Sequence, residues 1–203
     1  MITHRDFYDL SFKEKNQFLL YLKSIKEQSN SPAVENMYDD NYKNLPHTLP
    51  YILENTGRFY GDNGVFHILY DNDNIFACGG VYKSFFNNQI ALAGVRTYVD
   101  INFRHNSILR EQLLPLHKCW AIENNCNIVA LSFNEYNKNI IEIFKRRRMG
   151  ESIDRMSREP HHMFYNGVNE LEYPVNIQNT KQYVIYESIH DYNYDWESIK
   201  WKE

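Results

Sequence analysis

The sequence of 203 residues predicts a mixed α/β fold, in which a central sheet is flanked by helices. Three strand-like runs follow one another near the middle of the chain, with turn residues between them. After these runs the hydrophobic period changes, and helix-like and strand-like segments alternate. Hydrophobic residues make up 43% of the chain, which is enough for a core without disulfides or a metal. This order of elements favours a mixed sheet with helices on its faces.

The N-terminal part is predicted to be helical. Ser11 and Glu14 form a capping-box pattern at the start of a helix over residues 11–28. Its apolar residues recur at helical spacing and are expected to face a core: Phe12, Phe18, Leu19, Leu22 and Ile25. Prolines and Asn or Asp residues then predict a loop over residues 29–50, with at most one short helical turn. A short helix over residues 51–55 follows and ends before Gly57.

Three antiparallel strands are predicted over residues 64–70, 75–84 and 89–100. The runs Asp71-Asn72-Asp73-Asn74 and Asn87-Asn88 separate them, and both are typical of hairpin turns. The first run has the acidic and amide residues of a calcium loop, but it lacks the glycine and the terminal glutamate that such a loop needs. We therefore expect a three-stranded meander rather than a cation site.

A helix over residues 107–124, a buried strand over residues 127–133 and a second helix over residues 137–148 are predicted next. Pro115 lies inside the first of these helices. We expect it to kink the helix, because proline has no N–H to donate and its ring crowds the preceding turn.

Two further strands, near residues 163–166 and over residues 181–188, and a polar aromatic tail complete the chain. No internal repeat or low-complexity linker divides it. We therefore expect a single domain over residues 1–203, in three parts: a helical N-terminal part over 1–56, a core over 64–150, and C-terminal strands and a tail over 151–203.

The charge and hydropathy of the chain predict a soluble, cytoplasmic protein. Its formal net charge of −4 and sequence pI near 6.1 do not favour nucleic acid or acidic membranes as partners. No apolar run has the length of a membrane span. A basic run, Lys145-Arg146-Arg147-Arg148, is interpreted as a solvated helix end, with a cofactor phosphate or an acidic partner as alternatives.

No metal site is predicted. Cys78, Cys119 and Cys126 contain no CxxC pair, and we interpret Cys119 and Cys126 as buried thiols. His161 and His162 are adjacent, so on a strand they would point to opposite faces of the sheet.

Two stretches carry a family resemblance. Val99-Asp100-Ile101-Asn102-Phe103-Arg104-His105-Asn106-Ser107-Ile108-Leu109 resembles the pyrophosphate loop of the GNAT acyl-CoA N-acyltransferases, usually written V-x-P-x-Y-R-G-x-G-I-G. Asn137-Lys138-Asn139-Ile140-Ile141-Glu142-Ile143-Phe144 is similar to the N-x-x-A-I-x-L-Y motif of that family. The spacing between the two stretches also fits, and the resemblance covers roughly residues 64–150.

The resemblance implies a GNAT-like mixed sheet of about six to seven strands and transfer of an acetyl or related acyl group from acetyl-CoA to a primary amine. The cofactor would lie between the strands over residues 89–100 and 127–133. Backbone N–H groups at a helix N-terminus would wrap its pyrophosphate, and Arg104 and Arg110 would keep positive charge beside it. The residues implied in cofactor binding are Tyr98, Val99, Arg104, His105, Asn106, Ser107, Ile108, Leu109 and Asn137.

The chain also departs from the family pattern. His105, Ser107 and Leu109 stand where the loop usually has glycine, and Phe144 stands where many members have a tyrosine that protonates the leaving thiolate. The catalytic base stays open among Glu135, Asp100, His67 and a chain of waters.

The alternative is a GNAT-fold protein without catalysis that works as a binding or assembly component. Its protein partner would dock on the basic run of residues 145–148 or on the aromatic tail, whose large side chains are Tyr192, Tyr194, Trp196 and Trp201. A nucleic-acid-modifying relative of the same fold is a third and weaker possibility, which only the basic run supports.

Overall fold

The computed structural model describes residues 2–28, 37–84, 88–106, 108–134, 153–160 and 181–188. They form seven strands and three α-helices. The strands are β1 (Ile2–Asp6), β2 (Gly64–Asp71), β3 (Asn74–Lys83), β4 (Ile90–Val99), β5 (Ile128–Asn134), β6 (Ile153–Pro160) and β7 (Lys181–Ser188). The helices are α1 (Phe12–Gln28), α2 (Leu49–Asn55) and α3 (Leu114–Glu123).

The seven strands form one mixed sheet in the order β1-β2-β3-β4-β5-β7-β6. Strands β2, β3 and β4 make the predicted antiparallel meander. Strand β4 then pairs with β5 in parallel, and β5, β7 and β6 pair antiparallel. The mixed sheet, its flanking helices and the strand count of six to seven are therefore confirmed.

Helix α1 begins with the predicted capping box. The Ser11 N–H and hydroxyl both donate to Glu14 Oε2, at 2.8 and 2.6 Å, and the Glu14 N–H lies 3.4 Å from Ser11 Oγ. Phe18, Leu22 and Ile25 are buried, as expected. Phe12 is 82% exposed, contrary to the prediction. At 100° per residue it lies about 120° around the helix from the Phe18 position, which turns it away from the sheet.

The turn at Asp71–Asn74 is a hairpin, as predicted, because Asp71 pairs with Asn74 across it. Asn72 has φ +54°, a left-handed conformation that asparagine tolerates better than most residues. Helix α2 begins at Leu49, two residues earlier than expected. The sequence placed Pro50 at the end of the preceding loop, whereas the structure has it in the first turn of α2. Proline is tolerated there because its missing N–H has no partner to lose.

The helix predicted over residues 107–124 is divided. A 3₁₀ helix covers Ile101–Asn106, a π-helical turn covers Leu109–Leu113, and α3 covers Leu114–Glu123. Pro115 therefore lies in the first turn of the α-helix instead of kinking its interior. A proline cannot donate to the carbonyl four residues before it, which favours a wider turn immediately ahead of it.

Strands β1 and β6 were not predicted. The side chains of β1 are mostly exposed, so its sequence has no apolar alternation; antiparallel pairing with β2 forms the strand. Several predictions fall outside the described residues: the helix over 137–148 with its basic run, the strand near 163–166, the His161-His162 pair, the C-terminal tail, and the site residues Ser107, Glu135 and Asn137.

The sheet is covered on both faces. A core rich in aromatic residues lies between the sheet and helices α1 and α2, and it contains Phe18, Leu22, Ile52, Phe59, Phe66, Leu92 and Tyr98 among others. Smaller residues lie on the α3 side, among them Val81, Ala91, Ala93, Ala121 and Val129, with Leu114 and Trp120 packed over them. Strand β4 therefore lies between two cores.

Candidate cofactor-binding site

The parallel pairing of β4 with β5 is short. It joins Ile90–Ala93 of β4 to Ile128–Leu131 of β5. Strand β4 continues to Val99 and β5 continues to Asn134. Within the described part of the chain, the β4–β5 register thus ends at Ala93 and Leu131. This is the place where the resemblance puts the cofactor.

Two bulges in β4 account for the short pairing. Cys78, Gly80 and Tyr82 of β3 face Tyr98, Val95 and Leu92 of β4, so each two-residue step on β3 matches three residues on β4. Gly94 and Arg96 lie in these steps and have positive φ values of +68° and +52°. An extra residue in one strand bends it and increases its twist, which turns the end of β4 away from a straight partner.

His117 of α3 contacts the bulge directly. The Gly94 N–H donates to His117 Nδ1 at 3.2 Å, and His117 Nε2 lies 3.3 Å from the Gly79 carbonyl oxygen. Because a backbone N–H can only donate and a carbonyl can only accept, the ring proton is on Nε2. His117 is fully buried, and burial lowers its pKa to about 3. The imidazole is therefore neutral.

His67 is a buried neighbour of His117 and not a base at the opening. The two rings are stacked with centroids 5.5 Å apart. His67 lies on β2 opposite Gly79, so β3 separates it from β4. Burial lowers its pKa to about 4, with His4 as a second cause. Its place in the sheet does not support the catalytic role that the sequence left open.

Asp100, another candidate base, has a structural role. Its carboxylate accepts the Asn102 N–H at 2.9 Å, and its own N–H donates to the Phe76 carbonyl at 2.7 Å. It thus ends β4 and caps the 3₁₀ helix that follows. Glu135, the remaining side-chain candidate, lies outside the described residues.

The predicted cofactor residues form one segment at the end of β4. Tyr98 is 8% exposed and its ring faces α1, 6.1 Å from the ring of Tyr21, so only its backbone can meet a ligand. Val99 is half-buried on the α3 side. Arg104, His105 and Asn106 belong to the 3₁₀ helix.

Beyond that helix, the side chain of Ile108 is in the core beside Leu113, and Leu109 begins the π-helical turn. Ser107 and Asn137 lie outside the described residues. The structure thus keeps the residues from Tyr98 to Leu109 together at one end of β4, whereas their contacts with a cofactor stay a prediction.

Arg96 was missed by the sequence analysis. Its Nη2 atom donates to the His47 carbonyl at 3.0 Å, which ties the segment before α2 to the bulged part of β4. Burial lowers the pKa of His47, and the positive charge of Arg96 lowers it further. Two ion pairs attach the same region to α1: Lys23 with Asp40 at 3.0 Å and Lys26 with Asp39 at 3.1 Å. These contacts hold the segment from Asp39 to His47 on the α1 side of the opening.

The backbone at the end of β4 can pair with an extended ligand. Among the described residues, the strand no longer pairs with β5 beyond Ala93, and a strand that separates from its neighbour offers backbone groups to such a ligand. The side chain of Thr97 is not part of this opening, because its buried Oγ1 lies against Gly79 of β3. The backbone of this part of β4 therefore fits a linear cofactor with amide groups.

A cleft of about 200 Å³ lies elsewhere, between the β1–β2 edge and the helical residues over 111–119. Ile2, His4, Leu69 and Cys119 are among its lining residues. Cys119 is exposed, contrary to the prediction of a buried thiol, whereas Cys126 is buried as expected. No residue of β4 or β5 lines it, so we do not assign it to the cofactor.

The described residues contain neither a metal-binding cluster nor a membrane-spanning helix. No group of three or more His, Cys, Asp or Glu side chains there could hold a metal ion. No helix in that part of the chain is long and apolar enough to cross a membrane.

Known proteins resemble this chain in structure but not in sequence. No family model matches the chain, and no curated protein does either. Among solved structures, a GNAT-family acetyltransferase from Staphylococcus aureus Mu50 is similar, with a TM-score of 0.55, 16% identity, and coverage of 93% of this chain and 99% of that one. An acetyltransferase of the GNAT family from Streptococcus pneumoniae has a TM-score of 0.57 and 10% identity, with the same coverage.

A chimera of the spermidine N-acetyltransferase SpeG from Vibrio cholerae and hSSAT has a TM-score of 0.55 and 11% identity, and the match covers 94% of this chain and 97% of that one. At such low identity these matches establish the fold alone. By its structure, therefore, the chain has the fold of the GNAT acetyltransferases, in a divergent sequence.

Proposed function

We propose that this protein transfers an acetyl or related acyl group from an acyl-CoA to a primary amine. The single observation that carries the proposal is the end of the β4–β5 pairing at Ala93 and Leu131, produced by two bulges in β4. The fold supports it, because the similar structures are those of GNAT-family acetyltransferases.

The end of β4 would hold the donor. Backbone groups of Tyr98 and Val99 would pair with the amides of the cofactor arm, and the segment from Arg104 to Leu109 would surround its pyrophosphate. Bound acetyl-CoA supplies an acyl carbon activated as a thioester. The protein would hold the amine against that carbon, so that a C–N bond forms as the C–S bond breaks and the proton lost by the amine ends on the leaving sulfur, which departs as the free thiol of CoA.

The α1 side of the opening would receive the amine. Arg96 and the two lysine–aspartate pairs fix the segment over residues 37–48 beside β4. A spermidine N-acetyltransferase chimera is among the similar structures, so spermidine belongs in the first screen of acceptors. A single domain over residues 1–203 and a cytoplasmic location are also part of the proposal.

Isothermal titration with acetyl-CoA tests the donor site. We expect micromolar binding by the wild-type protein and weaker binding of dephospho-CoA. Arg104→Ala should weaken acetyl-CoA binding about tenfold, because a charge-assisted phosphate contact contributes roughly 1.5–3 kcal/mol. Lys43→Ala removes the same charge from an exposed position in the turn before α2, and it should leave the affinity unchanged.

A thiol-release assay with a panel of amines then tests transfer. Thiol release that depends on one amine supports the transferase. Tight acetyl-CoA binding with no transfer to any amine indicates the binding component without catalysis, and no binding at millimolar acetyl-CoA contradicts both the donor site and the reaction.

A further inference from the structure

His117 lies in the core on the apolar face of α3, yet it contacts two strands through backbone groups. One ring nitrogen receives the Gly94 N–H of β4, and the other faces the Gly79 carbonyl of β3. Both backbone groups belong to the region where the β3–β4 register shifts. The imidazole thus replaces ladder hydrogen bonds at the place where the bulge breaks the ladder.

The geometry around the ring leaves little freedom. Gly94 has φ +68°, which directs its N–H toward α3 instead of along the sheet. A Cβ on Gly79 would lie 2.6 Å from Thr97 Oγ1, so only glycine allows β4 to approach β3 this closely. A Cβ on Gly94 would lie 3.2 Å from Leu131 Cδ2, the side chain at the last β4–β5 pair. His117 therefore contacts Gly94, and Gly94 lies close to the Leu131 side chain next to the opening.

We propose that His117 is a positioning residue, whose neutral imidazole fixes the Gly94 bulge and thereby sets the shape of the opening between β4 and β5. It does not touch the cofactor and acts through Gly94. The inference rests on the proposed function, because the opening is assigned there to the acyl-CoA.

Two substitutions separate the contact of His117 with Gly94 from its contact with Gly79. His117→Asn places an amide oxygen near the position of Nδ1, where it can still accept the Gly94 N–H. His117→Gln places its amide near the position of Nε2, where it can still donate to Gly79 but leaves Gly94 without its acceptor. His67→Phe is the matched control, since it exchanges the stacked imidazole for a phenyl ring without nitrogens and leaves both backbone contacts of His117 in place.

The readout combines affinity with spectroscopy. Acetyl-CoA affinity is measured at a temperature where circular dichroism shows every variant folded. Nitrogen-15 spectra of the imidazole and of the Gly94 amide are recorded between pH 8 and pH 5. We expect a proton on Nε2 throughout this range, and a shifted Gly94 amide in His117→Gln but not in His117→Asn.

The affinity should follow the Gly94 contact. We expect His117→Gln to bind acetyl-CoA about tenfold more weakly, and His117→Asn and His67→Phe to stay within about threefold of the wild type. If His117 only filled the core, its substitution would change the thermal stability but not the acetyl-CoA affinity of the folded variants.

Two results overturn the inference by itself: wild-type affinity in His117→Gln, or a proton on Nδ1 in the wild-type protein. The nitrogen spectrum decides the matter if neither variant folds, because it needs only the wild type. If the wild-type protein fails to bind acetyl-CoA at all, the proposed function fails and the inference fails with it.

Discussion

The two halves of β4 have different neighbours, although they belong to one continuous strand. Residues Ile90–Ala93 are all buried and pair with β5, and Ala91 and Leu92 also pair with β3. Beyond Ala93 two residues have positive φ, and buried and half-buried positions follow each other irregularly. The first half holds the sheet together and the second half forms the candidate site, and the difference between them is backbone conformation more than side-chain chemistry.

Lowering the pH should have the largest effect, because it destabilises the buried histidines that support the second half of β4. His67 and His117 stay neutral in the folded protein, with pKa values of about 4 and about 3, against 6.5 when unfolded. Below pH 6.5 the unfolded chain binds protons that the folded chain does not. Stability is therefore fully present above pH 6.5 and is lost as the pH falls toward 4.

The expected loss is about 2 kcal/mol for each histidine between pH 7 and pH 5. Denaturant unfolding at the two pH values measures it. His67→Phe should remove about half of the loss, and an equal loss in that variant would show that His67 does not stay neutral. The ring of His4 contacts the ring of His67, with centroids 5.6 Å apart, so His4→Gln is a suitable second control.

Leu92→Ala should damage only the first half of the strand. The side chain is 2% exposed and packs in the aromatic core, so truncation should cost about 3 kcal/mol of unfolding free energy. The acetyl-CoA affinity of the folded variant should not change, because Leu92 precedes the bulge. A large change in affinity at full folding would contradict the division of β4 into two halves.

Gly94→Ala should have a smaller effect on stability and a larger one on binding. A left-handed conformation costs a residue with a side chain about 1–2 kcal/mol, and the new Cβ would press on Leu131. We expect a lower melting temperature together with weaker acetyl-CoA binding. Ala91→Gly, in the paired half, is the opposite substitution and should lower stability without affecting binding.

The elements that the sequence predicted are those with strong local signals. The capping box of α1 and the hairpin turn at Asp71–Asn74 depend on residues a few positions apart, so the local pattern is sufficient. The predicted strand over residues 181–188 has the bounds observed for β7. Strand β1 has no such pattern, because pairing with β2 forms it.

The candidate site was predicted less well than the fold. The resemblance located the segment from Tyr98 to Leu109, but not the bulges that separate β4 from β5, because a register shift exists only between two paired strands. Arg96 and His117 have no sequence motif. The one signal for His117 is a polar residue among the apolar positions of a helix, between Leu114 and Trp120.

The sequence by itself determined the start of α1, the meander of β2, β3 and β4, the strand β7 and the place where a GNAT-like loop would lie, because hydrophobic periodicity, turn residues and helix caps act over short distances. The tertiary structure decided where β4 leaves β5 and which groups support it there. Gly94, Gly79 and His117 are far apart in the chain, and only folding brings their donor and acceptor atoms within hydrogen-bond distance.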